Sequence, residues 1–301
     1  MWPGMDLRPV LGFGLLMVLC GCMGPERTLP ASSVGPAPRV ELLKTQTISD
    51  IGAGQAMAII SGRLLVMGDA GTGIVREYSV DLAGMLLVPS GRSITLTRDG
   101  SDFLSHPTGL AHDDRYGSFI GNTVKGVGSI HCIDLERALA QGTLDGCVIN
   151  SVADTAAVNG SRPEFIVFGG RRVIATSDYG RLGNQIRLLD PAALSKSSST
   201  SDAGVQIAAL PAGPWVQQMH WIERWQTLVL VQNQVAGLRY RLTFVEGVPA
   251  GMPAYTTVDL QHPDDELEGF VMLNNEIGLM LSASRKNNLH WVRLDWPAKQ
   301  R

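Results

Sequence analysis

Five segments of this chain carry one pattern: an apolar strand, a turn, a second apolar strand ending on a small polar residue, a Gly/Asn loop, and a third, alternating strand. The first pairs AMAIIS, from Ala56 to Ser61, with RLLVMGD, ending at Asp69; the others close their second strands at Asn122, Asp178, Asn233 and Ser284. Between those end residues the steps are 53, 56, 55 and 51 residues. Short strands repeated at this spacing with hairpin connections are the signature of propeller blades. Parallel β-helices have much shorter coils, and helical repeats need a 3.6-residue period that these strands lack. A helix is expected only over Leu135 to Gln141.

Each blade needs a fourth, outer strand, and four candidates follow the repeats: Arg92 to Arg98, Gly146 to Val152, Val205 to Leu210 and Ala254 to Leu260. The fifth repeat ends at Asp295 with only Trp296 to Arg301 behind it. Arg39 to Ser49 supplies the missing strand, so that the N-terminal strand completes the last blade and closes the ring, removing two open sheet edges. The expected fold is therefore an all-β, five-bladed β-propeller of four-stranded blades; six blades would need one hidden in the loops.

Composition agrees with a folded β domain. The chain is 45% hydrophobic and 18% charged, which excludes a disordered tail and a polytopic membrane protein. Its 25 basic residues are outnumbered by 28 acidic ones, which argues against a nucleic-acid partner.

The globular part is preceded by two other segments. Arg8 leads into an apolar run, Pro9 to Leu19, about half the roughly 20 residues of a spanning helix and suited to a signal-peptide core. Leu19-Cys20-Gly21-Cys22 directly after it resembles the lipobox of bacterial lipoproteins. That resemblance implies a leader over residues 1–21, lipidation (palmitate among the acyl chains) at Cys22, and a membrane anchor without a spanning helix. Met23 stands where an inner-membrane retention signal would carry Asp, so the expected address is the cell envelope, at the periplasmic side or beyond, on the outer membrane. Residues 22–38, with Pro25, Pro30, Pro36 and Pro38, read as a flexible tether, and residues 39–301 as the propeller. Cys132 and Cys147 then remain in an oxidising compartment, on adjacent strands of blade two, where a disulfide between them is within reach or two separate buried thiols stand.

No Gly-x-Ser-x-Gly elbow, His-Glu-x-x-His site, Walker loop or Cys-x-x-Cys pair occurs in the sequence. In a propeller, however, the ends of second strands and the starts of first strands share one face. That face is expected to gather Asp69, Asn122, Asp178, Asn233 and Ser284 with His106, Thr108, Glu164, Gln218 and Glu268 around a channel mouth. Such an oxygen-rich ring suits a hard cation such as calcium or a polar solute. Alternatively, Asp, Asn and Ser recur there because their side chains satisfy turns.

His106-Pro107-Thr108-Gly109-Leu110-Ala111 and Leu267-Glu268-Gly269-Phe270 resemble blade starts of NHL and gluconolactonase-like propellers. The resemblance implies a divalent metal held by Glu268 and Glu164. It departs at the blade count, six in that family, and at Phe270, where the family carries Pro. In a metal-dependent hydrolase centred on the polar ring, Asp178 would be a third metal ligand or, like Asp69, the base. Trp215, Trp221, Trp225 and Trp291 are either inter-blade packing or a sugar-stacking platform. Ser195 to Asp202 reads as a solvated, mobile loop. Three functions remain open at this point: an envelope scaffold or binding module, a calcium-dependent hydrolase or lactonase, and a glycan-binding module.

Overall fold

The computed structural model describes residues 37–157, 159–235, 239–261 and 265–296. The leader, Cys22 and most of the tether lie outside the described residues. Among the described residues no helix is long and apolar enough to cross a membrane.

The chain forms five four-stranded antiparallel sheets arranged as the blades of a β-propeller. Blade one comprises Ala53–Ile60, Arg63–Asp69, Gly73–Asp81 and Leu86–Thr95. Blade two comprises Pro107–Asp113, Gly117–Val124, Val127–Ile133 and Val148–Asp154. Blade three is built from Glu164–Phe168, Arg171–Ser177, Gln185–Leu189 and Gln206–Pro211, and blade four from Val216–Ile222, Thr227–Val235, Arg239–Glu246 and Ala254–Leu260. Blade five contains Leu267–Met272, Ile277–Ser282 and Leu289–Asp295, and its outer position is taken by Arg39–Gln46. That closing strand runs antiparallel to Leu289–Asp295, from Arg39 opposite Asp295 to Gln46 opposite Leu289. The expected helix is present at Leu135–Gln141, with the Asp134 side chain accepting from the Arg137 backbone at its start and Gly142 in the left-handed conformation at its end.

The strands are almost continuously apolar because both sheet faces are covered. Along Arg63–Asp69, Leu65 and Met67 enter the cluster shared with blade two, while Leu64 and Val66 enter the cluster shared with blade five. Leu228 and Leu230 likewise face blade three, and Val229 and Val231 face blade five. The period of two thus divides each blade's side chains between its two neighbours. The ring is joined at its seam by side chains as well: Gln46 bonds the Leu87 backbone at both N–H and C=O, 3.0 and 2.9 Å, and Asn288 does the same for Ile48 at 2.9 Å each.

Two expectations are corrected here, and the choice left open for the cysteines is decided in favour of separate buried thiols. The outer strand of blade one begins at Leu86, not Arg92, because buried Leu87 belongs to the blade five–blade one cluster and is gripped by Gln46. Cys132 and Cys147 are free thiols. Cys132, on the third strand, enters the cluster facing blade three, whereas Cys147 lies in the turn just before the fourth strand and enters the cluster facing blade one, so the two are buried on opposite sides of the sheet. The segment Ser195 to Asp202 is an ordered turn. Asp202 Oδ2 accepts from the backbone N–H of Ser198 and Ser199 at 3.0 and 3.1 Å, and buried Thr200 donates to Asp154 at 2.7 Å.

Candidate functional site: the channel mouth

The five inner strands neighbour one another around the axis of the ring. In four of them the pairing slips by one residue at the same level: between Gly54 and Ala56, Pro107 and Gly109, Val216 and Gln218, and Leu267 and Gly269. A bulge turns its extra residue out of the alternation and re-aims the side chain. The extra residues are Gln55, Thr108, Gln217 and Glu268, and in blade three Arg162 precedes the inner strand, its N–H donated to Thr176 Oγ1 at 2.9 Å. All five are buried polar side chains. Four of them, Gln55, Arg162, Gln217 and Glu268, line one open cavity of about 290 Å³, together with His106, Tyr179 and Glu266.

Arg162 is seated by the segment before blade three, which presses on blade two. Gly160 has φ 101°, and a Cβ there would collide with Thr123 Oγ1; one on Gly121 would collide with the Ser161 carbonyl oxygen. The guanidinium donates to the carbonyls of Gln217 and Asn159, both at 3.0 Å, and to Gln217 Oε1 at 3.4 Å, and lies 5.5 Å from the centre of the Tyr179 ring. Burial lowers its pKa to about 10, against the opposing pull of Glu268 and Asp178, so it stays charged at neutral pH.

Glu268 is 3% exposed. Its Oε1 accepts from Gln217 Nε2 at 2.9 Å, and the same nitrogen donates to Glu266 Oε2 at 3.2 Å, holding two carboxyl groups against each other. Burial first, then the charge of Glu266 and a hydrogen bond with it, raise the Glu268 pKa well above the usual carboxylate range; Arg162 works in the other direction. Glu268 therefore holds its proton more tightly than an ordinary carboxyl does. The Tyr179 hydroxyl donates to Asn233 Oδ1 at 3.2 Å and accepts from Gln234 at 3.0 Å. Burial, reinforced by Glu266 and Glu268, pushes it up to about 12. Three residues at this rim, Asn159, Trp215 and Gln234, hold left-handed φ of 61, 58 and 52°.

Of the residues expected at the mouth, His106 and Glu268 line it. Asp69 stands behind His106, its Oδ2 3.3 Å from Nδ1, with Oδ1 closing a turn on Gly71 N. Asn233 contributes through Tyr179. Asn122 accepts the His106 backbone N–H at 3.1 Å, Thr108 donates to the Ser161 carbonyl, and Ser284 donates to Asp265 at 3.1 Å. Those three satisfy local structure.

The remaining expectations are corrected. Gln218 sits one residue past the bulge and points into the protein, where it accepts from Met57 N at 3.2 Å and Phe270 N at 3.1 Å and donates to Met57 O. It pins the inner strands of blades one, four and five together. Asp178 is ion-paired at 2.8 Å with buried Arg187, which also binds Asp154. Glu164 lies at the far end of the channel, in a different cavity. Glu164, Glu268 and Asp178 therefore do not converge as calcium ligands, and the described residues contain no cluster of three or more His, Cys, Asp or Glu able to hold a metal. The tryptophans form no common platform: Trp221, Trp225 and Trp291 are buried in three different inter-blade clusters, and Trp215 packs on Tyr179 with ring centres 5.1 Å apart.

The residues that sequence reading missed are Gln55, Arg162, Tyr179, Gln217 and Glu266. A usable signal was present in the polar pairs Gln217-Gln218 and Glu266-Leu267-Glu268 at strand starts. Choosing the correct member required knowledge of the bulge.

No protein-family model matches this chain, and no curated protein matches its sequence. Among solved structures it is similar to the glutaminyl cyclase of Myxococcus xanthus, with 13% identity and a TM-score of 0.55 over 87% of this chain and 99% of that one. It is also similar to an engineered GH43 glycoside hydrolase with endo-xylanase and exo-arabinofuranosidase activity, at 12% identity and TM-score 0.51, over 86% of this chain and 53% of that one. These likenesses establish the class, a five-bladed β-propeller whose structural neighbours include enzymes. At such identities the likeness is one of fold.

Proposed function

We propose that this chain is an acid–base enzyme acting on a small, polar, uncharged group in the channel mouth. The observation that carries this reading is Glu268: a buried carboxyl with a raised pKa that opens onto the cavity and is hydrogen-bonded to a second carboxyl, that of Glu266. Two such groups share one proton, so the pair can give a proton and take one back within a single turnover. Arg162 and Gln55 supply donors to orient a carbonyl or hydroxyl, while Gln217, both of whose amide N–H groups are given to Glu268 and Glu266, holds the carboxyl pair in place. A cavity of about 290 Å³ is at the small end for ligand sites, suited to a single sugar or amino-acid unit.

The closeness of the pair favours a one-proton shuttle. Glycosidases that act from two sides of a bond place their carboxyls roughly 5–10 Å apart. Ring closure or ring opening at an amide or lactone needs one proton moved from nucleophile to leaving group. The first substrates to test are therefore an N-terminal glutaminyl dipeptide, followed by ammonia release, and a sugar δ-lactone, followed by acid release. Wild-type turnover with a kcat loss of about a hundredfold or more in Glu268→Gln supports the reading; a variant as active as wild type refutes it. A non-catalytic binding module is the second reading, favoured by the Gln55 amide at the cavity wall, and is supported if both proteins bind the compound equally and neither turns it over.

The resemblance of Leu19-Cys20-Gly21-Cys22 to a lipobox supports placing this activity in the bacterial envelope. Cys22→Ser is expected to move the protein from the membrane to the soluble fraction.

A further inference from the structure

At the opposite end of the channel lies a second cavity, of about 180 Å³, walled by Ile60, Leu110, Phe165 and Trp221 and holding Glu164 and His220. We propose that it is a binding site for a small alkylammonium group, received by the Glu164 carboxylate.

One carboxyl oxygen of Glu164 accepts the Trp221 N–H at 3.0 Å, and the other has no hydrogen-bond partner among the described residues. The basic groups nearby do not supply a counter-ion. His220 accepts the Met272 N–H on Nε2 at 3.1 Å, which leaves its proton on Nδ1 and the ring neutral; burial lowers its pKa to about 4. Arg172 is held by Asp113 at 3.2 Å and Glu223 at 2.9 Å, so that group of three carries a net negative charge. His112 is occupied by Ser118 at 2.8 Å and Asp114 at 3.3 Å. Arg172 and Glu223 line the cavity already paired with each other, so an anion entering here finds no free cation, whereas a cation finds the Glu164 oxygen that has no hydrogen-bond partner among the described residues. The aliphatic and aromatic walls favour an alkyl chain behind that cation, and the volume suits about four or five carbons.

Burial holds the Glu164 pKa up at about 8, so the empty site is protonated at neutral pH. Binding then exchanges a proton for the ligand: the carboxylic acid releases H⁺, and the carboxylate pairs with R–NH₃⁺, with charge conserved.

The test is calorimetric titration of the full chain with n-butylammonium chloride near pH 7, in two buffers of different ionisation enthalpy, with n-butanol and butyrate as comparison probes. The expected result is millimolar or tighter binding of the amine with release of roughly one proton, and a loss of about tenfold or more in Glu164→Gln, the scale of one charge-assisted hydrogen bond. Glu268→Gln, at the other mouth, should bind the amine as wild type does. Proton release is read on the wild-type protein and does not depend on any variant folding. No binding at about 10 mM, binding without proton release, or equal binding of butanol or butyrate would overturn the proposal.

Discussion

Glu164 makes a prediction about stability that can be worked from the structure. In the folded chain its carboxyl titrates at about 8, and in the unfolded chain at its ordinary 4.5, because burial disfavours the charged form more than the Trp221 N–H and Arg172 favour it. Between those values the folded state holds a proton that the unfolded state has lost. Stability therefore falls as pH rises from 4.5 to 8 and is flat above. At ~1.36 kcal/mol per pH unit the loss is about 5 kcal/mol, and water entering the open cavity makes that an upper bound. Glu164→Gln keeps the acceptor for Trp221 and has no charge to bury. In urea unfolding at pH 5 and pH 8.5, wild type should lose about 2–5 kcal/mol more than the variant, and the variant should be the more stable protein at pH 8.5. Parallel pH profiles for the two proteins would refute the reasoning, as would a variant less stable than wild type at the higher pH.

Gln218→Leu should destabilise the ring by about 3–6 kcal/mol, since three buried backbone groups on two strands lose their partner; a urea midpoint near wild type would count against the pinning role. Arg187→Met leaves Asp154 and Asp178 buried without their cation and should cost about 3–5 kcal/mol, whereas an unchanged denaturation curve would mean the ion pairs contribute little. Cys132 and Cys147, both buried and with thiol pKa values raised by burial, should resist alkylation in the native protein and both be alkylated in denaturant without reductant. Recovery of a Cys132–Cys147 cross-linked peptide would contradict their placement on opposite sheet faces.

The blade count, the ring closure by Arg39–Gln46 and the helix at Leu135–Gln141 were legible because each rests on local pattern. A 51–56 residue period, a strand without a neighbour and an Asp cap are all written along the chain. The site was legible only in part. Glu268 and His106 emerged from the rule that strand starts share a face. That rule failed at Glu164, because a side chain two residues further along an inner strand has travelled toward the other end of the channel. It failed at Gln218 because a bulge moved the cavity-facing position back to Gln217. The acids expected as a metal ring were claimed by other partners: Arg187, from the neighbouring strand of the same blade, joins Asp178 to Asp154 across a blade boundary.

By itself the sequence determined that this protein is a ring of five sheets, since period-two apolar strands covered on both faces have no other way to bury themselves at that repeat. Tertiary structure decided which polar residues share a cavity. Bulges, a glycine-seated loop and inter-blade contacts set side-chain direction at the level of single residues. Those same contacts set the desolvation that raises the carboxyl pKa of both Glu268 and Glu164, at opposite ends of one channel.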